Sequence, residues 1–405
     1  MANLLFLAHR LPYPPNKGDK IRSFHLLERL SARHRVHLGT FVDDPDDLVH
    51  VERVRERCAS LHVARLTPWR ARLRSLGGLL SGRPLTLGYY RDAGLHAWVA
   101  ETKRAQSIDA VIVFSSSMAP YAEAQPVLPM LVDFIDMDSL KWAQYAEVRK
   151  WPLSWGYRRE GRLLLEFERS IAARALRSFF VTERETSLFQ EQAPECAARA
   201  EPMGNGVDTV HFAPDPGLVS PYAIDEVPLV FIGSMDYWPN IDAVTWFAAD
   251  VLPRIRAQWP RARLHIVGHK PSAAVRALAS ADVVVSGTVP DIRPYLQHAR
   301  VVVAPLRVAR GIQNKVLEAM AMARPVVATR ACAEAIDARL DEELLAADDD
   351  DSFAVAVDRL LRAPAHAKAV GAAARRRVMA DYKWASHLAV LDRHLEMRQP
   401  ALATP

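Results

Sequence analysis

A chain of 405 residues is longer than one hydrophobic core usually serves, so two domains of roughly 200 residues each are expected. Its hydrophobic share of 50%, charged share of 24% and formal net charge of +5 exclude a disordered or fibrous chain. Three widely separated cysteines, Cys58, Cys196 and Cys332, exclude a disulfide framework or a zinc ribbon and read as reduced core residues.

From the N terminus, β-branched or aromatic runs bounded by polar residues or proline fall at 3–8, 36–42, 62–66, 110–114, 130–135 and 178–182. These are predicted strands. Between the first two, Ile21, Phe24, Leu27 and Leu30 recur every three residues, the stripe of a helix lying on a sheet. The alternation restarts with 229–232, 264–267, 283–286, 300–305, 325–329 and 344–346. Strands buried on both faces appear as continuous apolar runs, so each half is predicted to be an α/β, mostly parallel, doubly wound sheet. The stretch 214–227, with Pro214, Pro216, Gly217 and Pro221, reads as a linker. The segment 382–397 reads as a terminal helix with Trp384, Leu388, Leu391 and Leu395 on one side.

The apolar run 4–8 is too short for a signal-peptide core, and no run of about 18 apolar residues exists to span a bilayer. A cytoplasmic location is therefore expected. Residues 65–83 carry five arginines, no acid, and Leu66, Trp69, Leu73, Leu76, Leu79 and Leu80. Two readings stand: contact with an anionic membrane surface, or an ordinary amphipathic surface helix broken at Gly77-Gly78. Nucleic acid is not expected as a partner, because no binding motif accompanies the stripe.

Open α/β sheets bind ligands outside the carboxyl ends of their strands. With two such sheets facing each other, those loops would line a cleft between the domains. The first loop, His9 to Arg22, leads into a helix and contains Asn16, Lys17, Gly18, Lys20 and Arg22. A glycine and a helix N terminus there suit an anion. Further on, a helix over 314–323 would place Val316, Met320 and Ala323 on one apolar line and Asn314, Lys315 and Glu318 on the other side. A carboxylate there can accept hydrogen bonds from two ribose hydroxyls, and the ammonium can neutralise a diphosphate. A solvated polar face is the alternative. The four acids 348–351 read as a turn and helix N terminus. His9, His265 and His269 read as core or edge histidines.

The segment Arg307 to Thr329 resembles the E-x7-E region of retaining GT-B glycosyltransferases of family 4. Asn205-Gly206-Val207-Asp208, followed by Phe212 and Pro214, is similar to that family's inter-domain motif. More narrowly, residues 9–22, 132–142 and 231–240 resemble sugar transferases associated with PEP-CTERM exopolysaccharide systems. The resemblance implies a GT-B fold of two Rossmann-like domains, 1–207 on the acceptor side and 208–381 for the nucleotide sugar, with a helix 382–405 crossing back.

It further implies that Glu318 holds the donor ribose. Arg310 stands where the family has its first glutamate, near the donor sugar, beside Gly311, Ile312, Gln313 and Asn314. The family's basic residues after the first strand of the second domain are replaced around Gly233, Ser234, Pro239 and Asn240, which leaves Lys315 to meet the diphosphate, together with Gly18 and Gly233. Asp136 falls near the position of the family's active-site histidine and is assigned to the acceptor hydroxyl. Asp136 and Asp138 also admit a rival reading as a metal-binding D-x-D pair, but the family needs no metal and none is expected, nor any cofactor beyond the donor. The expected activity is transfer of a sugar, with retention, from a nucleoside diphosphate sugar to a saccharide or lipid-linked saccharide in exopolysaccharide synthesis. A nucleotide-sugar epimerase and a non-catalytic membrane-surface scaffold are the alternatives. A dinucleotide oxidoreductase is disfavoured, because Gly204-Asn205-Gly206 lacks the third glycine of its phosphate loop.

Overall fold

The computed structural model describes residues 1–123, 128–147, 149–309 and 311–396. They fall into two units, Met1–Gly204 with Leu388–Pro405, and Asn205–His387.

In the first unit, β1 (Asn3–Ala8), β2 (Arg35–Val42), β3 (Ser60–Arg65), β4 (Ala110–Phe114), β5 (Met130–Ile135), β6 (Arg177–Phe180) and β7 (Ala200–Pro202) form one sheet in the order β3-β2-β1-β4-β5-β6-β7. Every pairing is parallel. Leu4, Leu5, Phe6 and Leu7 are all fully buried, which is why β1 reads as an unbroken apolar run: helices cover both of its faces. The seventh strand has no apolar run to announce it. It is an Ala-Glu-Pro edge, where Pro202 leaves no ladder donor unmet.

The helix Trp384–Glu396 joins this unit from Leu388 onward. Its Asp392 accepts hydrogen bonds from Arg29 at 2.5 and 2.9 Å and from Arg33 at 2.9 Å, and His394 pairs with Glu201 at 3.0 Å. Residue 397, included in the expected helix, lies outside the described residues.

The second unit holds β8 (Val227–Ile232), β9 (Ala262–Val267), β10 (Val283–Gly287), β11 (Val301–Ala304), β12 (Val326–Ala328) and β13 (Leu345–Ala346), ordered β10-β9-β8-β11-β12-β13 and again parallel throughout. The proline-containing stretch 214–227 lies within this unit. Leu218 and Tyr222 pack on its core, and Tyr222 Oη donates to the Tyr295 carbonyl at 2.6 Å. The acidic run becomes a helix start: Asp349 caps Asp350–Arg362 in a reciprocal capping box with Ser352.

Strand order reverses beside β1 in the first sheet and beside β8 in the second. At each reversal the flanking loops diverge and leave a crevice at the carboxyl edge. The loops after β1 and β4, and after β8 and β11, are therefore where a ligand is to be sought.

Candidate functional site

At the end of β8 the chain turns through Gly233, with φ at 155°. A Cβ there would stand 2.9 Å from Asn240 Nδ2 and 3.2 Å from Lys315 Nζ, so glycine makes room for both. Gly268, following β9, approaches more closely still: its Cβ would lie 1.7 Å from the Gly233 carbonyl oxygen. Asn240, in the first turn of the helix Trp238–Trp246, donates from Nδ2 to the Ser234 carbonyl at 2.8 Å. Its Oδ1 accepts from Lys315 Nζ at 2.5 Å. The ammonium also lies 4.5 Å from the centre of the Phe231 ring, a cation–π contact. Phe231, within β8, is a member of the site that its apolar strand pattern disguised.

Lys315 and Glu318 lie on the helix Asn314–Ala321, where no side chain caps the N terminus. Val316, Leu317, Met320 and Ala321 anchor it in the core. The helix stops short of the expected residue 323 because Ala323 takes a left-handed conformation, φ 55°, and the Arg324 amide bonds back to the Ala319 carbonyl at 3.0 Å. Glu318 is not on a solvated face: it is 8% exposed. Burial pushes its carboxyl up from 4.5 to about 7, opposed by the charge of Lys315. Burial likewise pulls Lys315 down from 10.5 to about 8, opposed by Cys332 and Glu318. Each group is thus held away from its charged form by desolvation. A ligand presenting a diphosphate to one and hydroxyl donors to the other would stabilise the charged form of each.

Asn205 Nδ2 donates to Asn314 Oδ1 at 3.2 Å. Gly206 lies against the backbone of Lys383 and Trp384, with the Val207 amide bonded to the Tyr382 carbonyl at 2.8 Å. The Asn205–Asp208 motif therefore braces the helix that carries Lys315, a role legible in the sequence only as a motif. Gly311 has φ 59°, and Ile312, Gln313 and Asn314 are half-buried in the approach to the helix. Arg310 lies outside the described residues. A separate cavity of about 420 Å³ is lined by Trp238, Asp242, Trp246 and Arg307, but neither Lys315 nor Glu318 reaches it.

In the first unit, Asn16 and Gly18 are exposed and Lys17 is half-buried at the N terminus of the helix Gly18–Ser31. The expectation for Arg22 is corrected. Its guanidinium is fully buried, binds Asp133 through two bonds at 2.7 and 3.0 Å, and reaches the Gly204 carbonyl at 3.1 Å. A side chain so committed holds β5 to its covering helix and presents nothing to a phosphate. Lys20 is neutralised as well, by Asp47 at 2.9 Å to each oxygen. His9 behaves as a core histidine, paired with Asp19 at 3.1 Å and stacked on Phe114.

Asp136 follows Ile135, whose φ of 69° is rare for a β-branched residue, in a three-residue turn closed by the Asp136 amide on the Phe134 carbonyl at 3.0 Å. Asp138 begins the helix Asp138–Glu147. Behind it Glu168, pushed up to about 8 by burial, binds Ser139 Oγ at 2.5 Å. Among the described residues no group of three or more His, Cys, Asp or Glu side chains is placed to hold a metal ion, and no helix is long and apolar enough to cross a membrane.

Residues 226–363 match the family model described as glycosyl transferases group 1. No curated protein sequence matches the chain. Among solved structures, a sucrose-phosphate synthase from Thermosynechococcus elongatus is 18% identical, with a TM-score of 0.72 over 98% of this chain and 99% of its own. The Anabaena protein Alr3699/HepE, solved with UDP, is 15% identical, with a TM-score of 0.69 over 98% and 100%. A glycosyltransferase from Rickettsia africae is 13% identical, with a TM-score of 0.64 over 98% and 99%. At these identities the likeness is one of fold. The chain thus has the two-domain α/β fold of GT-B glycosyltransferases, and its residues 226–363 are a glycosyl transferases group 1 domain.

Proposed function

We propose that the chain is a glycosyltransferase that takes a sugar from a nucleoside diphosphate sugar, with retention, and adds it to a saccharide or lipid-linked saccharide in exopolysaccharide synthesis. One observation carries this reading. Lys315 meets Asn240 and Gly233 at the switch point of the second sheet, and the buried carboxyl of Glu318 stands three residues along the same helix. A diphosphate beside Lys315 supplies the counter-charge that Asn240, a neutral acceptor, does not. Ribose hydroxyls donating to Glu318 stabilise its ionised form.

The group 1 domain and the Anabaena neighbour, solved with UDP and with UDP-glucose, support a nucleotide-sugar donor and make UDP the first nucleotide to use as a probe of the site. Asp136 is assigned to the acceptor hydroxyl and Arg310 to the donor sugar. No metal is assigned; the lysine and the helix N terminus would offset the charge of the departing diphosphate.

The test is thermal unfolding with a panel of nucleoside diphosphates and their sugars. The donor raises the midpoint, and Glu318→Ala abolishes that rise. An unchanged rise in the variant removes Glu318 from the site.

A further inference from the structure

Nine tryptophans occur in the chain, all among the described residues, and of these Trp69, Trp151 and Trp155 are exposed. All three belong to the first unit. Trp69 lies in the helix Pro68–Ser75 with exposed Leu73, and Leu80, 96% exposed, lies in the next helix, Gly77–Ser81. Trp151 precedes the helix Leu153–Arg174, and Trp155 lies in its first turn. The two segments, about 80 residues apart in sequence, are neighbours in space. Arg159, one turn beyond Trp155 and on the same side of the helix, donates to the Gly78 carbonyl at 2.7 Å. Glu160 accepts from the amides of Leu85 and Thr86 at 2.7 and 2.9 Å.

Basic residues accompany both segments. Residues 149–159 contain Arg149, Lys150, Arg158 and Arg159 and no acid, repeating the acid-free, basic composition of 65–83. At the base of the helix Pro68–Ser75 is a pocket of about 190 Å³ lined by Arg65, Arg70, Arg74 and Arg91. Arg74 is committed to the carbonyls of Gly88 and Tyr89. Asp92, the acid lining the pocket, already caps the helix Ala93–Ala105 through the Leu95 amide. Among the described residues, Arg65, Arg70 and Arg91 form no ion pair with an acid.

We propose that this surface docks the first unit onto an anionic phospholipid bilayer, with a lipid phosphate in the arginine pocket. The tryptophans and Leu80 enter the boundary between headgroups and acyl chains. Guanidinium groups interleaved with exposed indoles and leucines, with no acid in either segment, match a layer of phosphate above a layer of hydrocarbon. The inference deepens the reading of a lipid-linked acceptor and rests on it for its purpose, but flotation is read without nucleotide, and nucleotide binding is followed separately.

The full chain is floated with phosphatidylcholine vesicles and with mixed phosphatidylcholine–phosphatidylglycerol vesicles, at low and high salt. Wild type rises with the mixed vesicles, less so at high salt, and stays down with phosphatidylcholine alone. Leu80→Glu with Trp155→Glu lowers the apparent vesicle affinity about tenfold or more, and Arg70→Ala with Arg91→Ala removes the preference for the anionic lipid. Both variants keep the wild-type unfolding midpoint and its rise with UDP, which separates docking from folding and from nucleotide binding. Flotation without any UDP-induced rise counts against the donor reading and leaves docking intact. Wild type remaining down with the mixed vesicles overturns docking, as does flotation of the Leu80–Trp155 variant at wild-type strength. A self-association abolished by that variant, without flotation, assigns the face to a second copy of the chain and also overturns it.

Discussion

Replacing Glu318 by glutamine separates the stability of the site from its function. The carboxyl rises from 4.5 in an open chain to about 7 in the fold, chiefly through burial. A carboxyl whose pKa is raised on folding contributes stability that is present below the unfolded value and lost as pH climbs through the folded one. At about 1.4 kcal/mol for each pH unit, holding Glu318 ionised costs the free protein about 3 kcal/mol by pH 8. At pH 5 the cost is under about 1 kcal/mol, because the folded group is then protonated. Glutamine keeps the shape and abolishes the charge, so Glu318→Gln stabilises the ligand-free protein at pH 8 and scarcely at pH 5. Part of the gain is lost with the attraction to Lys315. For a domain of this size each kcal/mol moves the melting temperature by roughly 2–4 °C. Calorimetry of both proteins at the two pH values, with and without UDP, provides the measurement. The variant melts several degrees higher at pH 8 and gains little from UDP. Equal midpoints at pH 8, or a UDP response equal to wild type, refute the account of a buried carboxylate kept for the ribose.

Lys315→Met weakens UDP binding about tenfold to a hundredfold, the range for a lost hydrogen bond to a charged group; calorimetric titration at pH 7 measures it, and wild-type affinity in the variant excludes the diphosphate role. In the wild type, UDP affinity falls as pH rises through about 8, where Lys315 loses its proton, and as pH drops below about 7, where Glu318 gains one; a flat profile from pH 6 to 9 contradicts this. Arg22→Ala strands Asp133 in the interior and destabilises the first unit by about 3–5 kcal/mol in denaturant unfolding, while UDP affinity is unchanged; a stable variant with weakened UDP binding would return Arg22 to the phosphate site. Gly268→Ala forces a Cβ against the Gly233 carbonyl, displaces the loop that carries Ser234, and lowers both the unfolding midpoint and the UDP response; an unaffected variant shows that this close approach is dispensable.

What was legible in the chain is what depends on local pattern. The apolar runs at 3–8, 110–114 and 130–135 coincide with β1, β4 and β5, because a strand buried on both faces must be apolar at every position. The run at 178–182 was displaced by one or two residues from Arg177–Phe180, and β7 was missed because a three-residue edge strand buries too little to leave a pattern. The pairing of residues with the same charge and sequence context was not legible. Lys17, Lys20 and Arg22 look alike in one loop and helix start, yet Lys20 and Arg22 are neutralised by Asp47 and Asp133, which lie far along the chain.

The sequence by itself determined two parallel α/β sheets and placed Lys315 and Glu318 in one helical turn, since periodicity and spacing are properties of neighbouring residues. Only the tertiary structure decided that Phe231 and Asn240 meet the Lys315 ammonium, that Arg22 is an internal strut, and that Arg159 reaches the Gly78 carbonyl. Those contacts join residues tens to more than a hundred positions apart. Their free energy comes from desolvation and close approach, which exist only once the chain has closed upon itself.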